Sequence, residues 1–563
     1  MFRARRYLLL FTLIPLFLAL LIRLFYLQIL GFSEFSGIAA KQHNRVFKTE
    51  PRRGAIFGRR MEPMAINLEA ASVYCDPQRI SDKENTAAVL AEVLKVEASL
   101  LLEKISKDKA FAWLKRKVSD EEAKAVEQLG IRGVYLLNEC KRSYPNDNLA
   151  SQVIGFVGID NDGLEGLELS FDERLKGRPG YSYMVKDAKR RTVFFDKKRS
   201  LPPQNGFNLV LTMDSVIQCI VEEELREMVR TSHASSASCV VMDPFSGAIL
   251  ALANYPDYDL NDFSKTPRSV MANTAISGVY EPGSVFKIVT ASAALDEAKA
   301  GLDDSIYCEK GEYRIGGRVL HDFHRFGTLS FREVISKSSN IGTVKIAHKL
   351  GKEKLFEYIE KFGFGEKTGI DLPGEASGIS RPPAKWSRSD ITTIPIGQGI
   401  AVTPLQLVRA VSVIANGGYL VQPYIVDHIT TWDGVICERS RPGPGRRVLK
   451  ETTSAQMKEI LRSVITEGTG KRAGSKLYEM CGKTGTAQIA SPRGGYYPDK
   501  YDATFLGFAP MELPAISVVV VAHDPHPVYF GGSIAGPVFK RISERVLQYL
   551  GTGSKSRLYP REA

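Results

Sequence analysis

A serine hydroxyl becomes a useful nucleophile only when a neighbouring base can take its proton. The stretch "YEPGSVFKIVTASAAL" (residues 280–295) offers such a pair, with Lys287 three positions after Ser284. The Pro282-Gly283 turn and the apolar periodicity that follows predict a helix starting near Ser284, so the two side chains share one face a turn apart. A lysine whose pKa is lowered by burial or by positive neighbours can accept the hydroxyl proton, and a helix N-terminus favours negative charge developing beside it. Spacing alone is weak, because about three Ser-x-x-Lys matches are expected by chance at ordinary composition. Ser106 and Lys109 also fit it, in a charged stretch with no further chemistry nearby.

Two later motifs raise Ser284 above that background. Ser338-Ser339-Asn340 sets a second hydroxyl and a carboxamide two positions apart beside a predicted helix, where they can relay a proton and hold an amide. Helix capping is an equally available use of the same residues. Lys-Thr-Gly occurs twice. The copy at Lys367, Thr368 and Gly369 sits among glycines and a proline and reads as loop. The copy at Lys483, Thr484 and Gly485 continues into Thr486 and leads to the terminal strands. On a strand Lys483 and Gly485 face one way, with Thr484 and Thr486 facing the other. Lysine with threonine suits a carboxylate, and glycine lets a substrate backbone approach closely.

The elements that must position these groups are legible in outline. At 563 residues, with 44% hydrophobic and 25% charged, the chain is globular and calls for two or three domains. Its first residues carry Arg3, Arg5 and Arg6, then an apolar run from Tyr7 to Ile22 that continues past Arg23 through Leu27, giving a candidate span over residues 7–29. No small-residue cleavage pattern follows closely, so the run reads as an uncleaved membrane anchor with residues 1–6 cytoplasmic and the rest outside. No later segment is long and apolar enough to span. The seven cysteines are odd in number, scattered and without Cys-x-x-Cys, which argues against a disulfide scaffold. The pairs His321/His324 and His523/His526 lack the spacing and glutamate of a zinc-protease helix, so neither metal nor cofactor is expected. The net charge of +12 suits an anionic surface, although a basic surface without a special partner is commoner, and nucleic acid is not an expected partner.

Residues 45–205 mix strand-like runs, such as "ASVYCDP" and "QVIGFVGI", with the helical "ENTAAVLAEVLKVEASLLLEKI". Pro202, Pro203 and Asn205-Gly206 mark a boundary. Beyond it, residues 206–550 open with the strand "NLVLTM" and a helix N-capped by Asp214. A hairpin over residues 237–256, two strands around residues 501–525 and a closing helix give a mixed α/β pattern. Residues 551–563 read as a loose tail.

Ser-x-x-Lys, Ser-x-Asn and Lys-Thr-Gly in this order resemble the penicillin-binding protein and serine β-lactamase superfamily. "YEPGSVFK", "SSNIGTVKIA", "IPIGQGIAVTPLQL", "GKTGTAQ" and "GPVFKRI" resemble the transpeptidase domain of class B penicillin-binding proteins. "RRGAIFGRRMEPMAIN", "FAWLKRKV" and the stretch of residues 142–177 resemble their non-catalytic, dimerisation-type pedestal. Glu281, the compact pedestal and the lack of an obvious C-terminal appendage resemble the division-type FtsI branch. One departure is Gly58, where relatives usually carry aspartate before an arginine.

The resemblance implies an antiparallel sheet flanked by helices, an α+β pedestal and one transmembrane helix. It implies a D,D-transpeptidase of septal peptidoglycan at the cytoplasmic membrane. Ser284 would be the nucleophile, Lys287 the general base and Ser338 the relay. Asn340 would hold the substrate amide, and Lys483, Thr484, Gly485 and Thr486 its carboxylate. The oxyanion hole would use the N–H groups of Ser284 and Thr486. Implied partners are nascent stem peptides, β-lactam antibiotics, the inner membrane, an FtsW-type glycan polymerase and other division proteins. A β-lactam hydrolase or sensor, or a non-enzymatic divisome scaffold, are the alternatives.

Overall fold

The computed structural model describes residues 2–36, 44–186, 192–315, 318–440, 443 and 445–553. By packing, the chain forms two units, one of residues 1–53 with 176–206, the other of residues 54–175 with 207–563. The second unit therefore holds much of the predicted pedestal as well as the predicted transpeptidase part. Most of the expected tail lies outside the described residues.

In the first unit, helix α1 (Phe2–Phe25) contains Pro15, and a π-turn carries it on to Leu30. Residues 11–30 form a window with mean hydropathy of 2.2, long and apolar enough to cross a membrane. The same unit carries a three-stranded antiparallel sheet from Asn44–Thr49, Gly180–Lys186 and Thr192–Leu201.

The second unit is built on two sheets. Strands β1 (Ile56–Phe57), β2 (Pro63–Cys75), β3 (Ala112–Val118), β4 (Val134–Ser143) and β5 (Asn208–Leu211) belong to a seven-stranded sheet, with helices α2 (Lys83–Leu94), α3 (Ala98–Ser106) and α4 (Asp120–Leu129) packed among them. The predicted long helix is broken in two because Lys95 takes the left-handed conformation that ends α2. "QVIGFVGI" is not a strand. Ser151–Ile154 form one helical turn buried on every side, and a residue enclosed all round shows no period to distinguish strand from helix. Gly58 has a local reason, because a Cβ there would lie 2.3 Å from Glu62 Oε1. Glu62 accepts from the N–H groups of Arg60 at 2.9 Å and Ser215 at 3.0 Å, so a carboxylate still serves this corner.

Helix α5 (Ser215–Ser232) starts as the sequence predicts, with Asp214 accepting from Val216 and Ile217 N–H. It packs on an all-antiparallel sheet formed by β6 (Ser236–Met242), β7 (Ile249–Tyr255), β10 (Cys481–Ala490), β11 (Tyr496–Ala509) and β12 (Ile516–His523), with β8 (Val426–Thr430) and β9 (Ile436–Arg439) extending the other sheet. The strand order β7-β6-β12-β11-β10 leaves β10 at the edge. One face of this sheet is covered by α5 and α10 (Gly531–Tyr549), and the other by α8 (Pro404–Ala415) and α9 (Glu451–Thr466), with the helices that carry the site, α6 (Lys287–Asp296) and α7 (Asn340–Leu350), packed together and α6 against α9. Every residue of α6 is buried, so its position among the neighbouring helices is held by packing along its whole length.

Candidate active site

Ser284 lies in a 3₁₀ turn, Gly283–Phe286, that runs straight into α6, and Lys287 is the first residue of that helix. The turn is clamped from two sides. Gly283 N–H donates to Gly397 O at 3.0 Å, and a Cβ at Gly397, whose φ is +83°, would lie 2.1 Å from Gly283 O. Opposite, a Cβ on Gly485 would lie 2.9 Å from Pro282 O, which shows that β10 runs directly over the turn. Gly397→Ala is therefore expected to displace the turn. We expect a loss of about 1–3 kcal/mol by denaturant unfolding, together with slower acylation.

The two buried lysines meet at one hydroxyl. Lys287 Nζ donates to Ser338 O at 2.7 Å, to Asn340 Oδ1 at 2.7 Å and to Ser338 Oγ at 3.1 Å. Lys483 Nζ donates to the same Ser338 Oγ at 3.0 Å and to Thr484 O at 3.1 Å. Ser338 reaches this position from a left-handed backbone, φ +60°, a conformation that a non-glycine residue holds only where its surroundings impose it. Both lysines are fully buried. Burial pushes Lys287 down to about 7, with Asp322 pulling the other way, while burial and then the Lys287 charge hold Lys483 well below the usual lysine range. Among the described residues none exchanges a hydrogen bond with Ser284 Oγ, so that hydroxyl is free for an incoming substrate.

The strand alternation places the remaining groups. Lys483 and Gly485 face Ser338 and the Ser284 turn. On the far side Thr484 Oγ1 pairs with Thr469 Oγ1 at 2.7 Å, and Thr486 Oγ1 accepts from Gly531 N–H at 3.0 Å. The other Lys-Thr-Gly is a loop, held where Glu375 accepts from Thr368 N–H at 2.7 Å and Gly369 N–H at 3.1 Å. Ser106 is exposed at the end of α3.

Sequence reasoning missed Asp322. Its carboxylate accepts from Ser339 Oγ at 2.6 Å, Asn340 N–H at 2.5 Å and Ile341 N–H at 3.0 Å, while Asn340 Nδ2 donates to His321 O at 3.0 Å. Ser339 in turn N-caps α7 by accepting from Gly342 N–H at 2.9 Å. Capping and chemistry thus divide within one motif: Ser339 caps, and its neighbours face Lys287. The only local signal was an acid between two histidines, which carries no period. Asp322→Ala is expected to slow acylation by roughly ten- to a hundredfold, since bonds to a charged acceptor are worth about 1.5–3 kcal/mol, whereas Asp322→Asn restores part of the rate. Equal loss in both variants, read as second-order rates with a fluorescent penicillin, would rule out this positioning role.

Chemically, a serine beside a lysine near neutrality and an edge strand with outward N–H groups suits acyl transfer through a serine ester. Comparison with known proteins agrees. The family model for the penicillin binding protein transpeptidase domain matches residues 237–544, and that for the penicillin-binding protein dimerisation domain matches residues 48–211. The chain is 36% identical to stage V sporulation protein D of Bacillus subtilis, covering 95% of this chain and 84% of the relative. It is 32% identical to the peptidoglycan D,D-transpeptidase FtsI of Escherichia coli, covering 90% and 84%. Penicillin binding protein 3 of Mycobacterium tuberculosis, solved with aztreonam, superposes with a TM-score of 0.72 at 28% identity, covering 90% of this chain and 98% of that one. The chain belongs to the class B penicillin-binding proteins.

Proposed function

We propose that this protein is a membrane-anchored peptidoglycan D,D-transpeptidase that crosslinks stem peptides through an acyl-enzyme on Ser284. The observation that carries the reading is the sharing of Ser338 Oγ by two buried lysines beside the Ser284 turn. Residues 45–205 serve as its pedestal and 206–550 as its transpeptidase domain.

In the ammonium form Lys287 spends all three N–H groups on Ser338 and Asn340. Deprotonated, it keeps the two shorter bonds and turns a lone pair toward Ser284. The serine oxygen then attacks the carbonyl between the two terminal D-alanines, and its proton passes to Lys287. The resulting oxyanion is met by the N–H groups of Ser284 and Thr486, a contribution of roughly 3–4 kcal/mol for each donor. As the C–N bond breaks, Ser338 hands a proton to the departing D-alanine amine and is replenished from the lysines on either side. Asn340 holds the substrate amide. Lys483 regains its proton when the substrate carboxylate arrives at the edge of β10, because an opposite charge favours the ammonium, and Thr484 and Thr486 meet that carboxylate from around the strand edge rather than from the Lys483 face. The amine of a second stem peptide attacks the ester and restores the serine. β-Lactams follow the first half of this course and remain attached.

The N-terminus is cytoplasmic, the catalytic part extracytoplasmic, and the work is done at the septum, with an FtsW-type polymerase supplying glycan. Mass spectrometry of the penicillin-labelled protein tests the reading: the adduct is expected on the peptide holding Ser284, persisting for many minutes. Rapid loss of the adduct would indicate a hydrolase instead.

A further inference from the structure

Beside the Ser284 turn, on the same sheet face, lies a cavity of about 180 Å³ that the transpeptidase reaction does not use. Its floor consists of two cross-strand rows set by register. Ser236, His523 and Asp502 stand opposite one another in the first row, and Ser238 and Val521 in the second. Thr274, Tyr280 and Pro404 close it from the other side. Asp502 is only 4% exposed, a buried carboxylate among the serine, valine and histidine side chains of these rows. One of its oxygens takes His523 Nδ1, and among the described residues no donor reaches the other. Desolvation raises the pKa of Asp502 and the His523 hydrogen bond opposes it, so a cation reaching the second oxygen from the cavity favours the carboxylate form.

We propose that this cavity binds a small primary ammonium ligand on a short apolar stem, with Asp502 as its counter-ion, and that occupancy bears on Ser284 through Tyr280. The size excludes drug-sized molecules, whose pockets span roughly 300–1,000 Å³. Ser238 and Thr274, whose hydroxyl oxygens can accept from an ammonium, line the cavity with Asp502, and Val521 and Pro404 line it for the stem. Tyr280 is held in place by N–H and C=O bonds to Val402 at 3.1 and 2.9 Å, and accepts from Thr504 Oγ1 at 3.3 Å, four residues ahead of the nucleophile.

The ligand competes with His523 for Asp502. The groups facing His523 are Asp502, Asp524 and Lys500, with His526 on the far side of Asp524 at 3.0 Å, and Tyr280 remains a neutral phenol. The hydrogen bond to Asp502 raises the pKa of His523, so below that value the imidazolium occupies the carboxylate. Affinity for the ammonium therefore rises with pH as His523 loses its proton.

The test is calorimetric titration of the full chain in detergent micelles with n-butylammonium chloride, using n-butanol and sodium chloride as controls. The expected result is saturable binding to the ammonium alone, tighter at pH 8.5 than at pH 6, and at least tenfold weaker in Asp502→Asn. Should that variant fail to fold, Ser238→Leu, which fills the cavity without touching the charge, is expected to abolish binding. Absence of saturable binding, or binding unchanged in the variant that folds, would overturn the site. Binding that leaves the acylation rate by fluorescent penicillin unaltered would overturn the link to Ser284.

Discussion

Ser284→Ala is expected to abolish the penicillin adduct and to lower crosslinking on the order of 10⁶-fold, the scale seen when a serine nucleophile is removed from an acyl-transfer enzyme. No other hydroxyl can stand in. Ser338 Oγ sits between two lysine amines, both donating to it, which stabilises an oxygen that relays protons but leaves it embedded rather than directed at a substrate. Ser339 is buried and spent on Asp322 and the cap of α7. Ser106 is exposed at a helix end with Lys109 beyond the helix. Because Ser284 is only partly buried and its Oγ bonds to no described residue, its loss removes no internal hydrogen bond and the fold should survive. Intact-mass spectrometry after penicillin treatment, with a circular dichroism melt as control, measures both. An adduct of undiminished yield on the variant would refute the assignment.

The second large effect concerns Lys287. Replacing it with methionine removes the base while keeping much of the volume, and the acylation rate is expected to fall roughly 10²- to 10⁴-fold. Arginine should not rescue it, since a guanidinium stays protonated. The wild-type protein carries its own signature. Burial brings Lys287 to about 7, and only the neutral amine can take the serine proton. Acylation should therefore rise as pH increases through about 7 and level off above it. The same shift acts on stability. A lysine whose folded pKa lies below its unfolded value of roughly 10.4 releases its proton on folding, so stability rises with pH between about 7 and that value. Second-order rates with a fluorescent penicillin from pH 5.5 to 8.5 give the kinetic profile. A rate independent of pH across that window would exclude Lys287 as the base.

Much of the site can be read from local sequence because its parts are local. Ser284 and Lys287 are one turn apart, Ser338 and Asn340 flank a cap, and Lys483 to Thr486 follow one strand. Each motif encodes its own geometry through helical or strand period. The two decoys were separable for the same reason, since glycine and proline around Lys367 predict the loop in which Glu375 holds it. Helix α5 begins at Asp214 because capping is a contact between neighbours.

What the chain alone could not reveal depends on residues brought together from far apart. "QVIGFVGI" looked like a strand because its helical turn is enclosed on all sides, which erases the period. Asp322 acts on Asn340 only after the antiparallel strand pair Glu312–Ile315 and Arg318–His321, which leads into it, packs on α7, and Gly397 matters only because its backbone meets Gly283. The row of Ser236, His523 and Asp502 exists only through the register of three strands. By itself the sequence determined the class of chemistry, the candidate nucleophile, the apolar N-terminal helix and most elements, all of which rest on short-range spacing. Tertiary structure alone decided that two lysines share one serine, that burial brings the pKa of Lys287 to about 7, and that a cavity lined by Asp502, His523 and Tyr280 forms between strands and loops distant in sequence. Burial and cross-strand register are properties of the packed chain, and no window of sequence contains them.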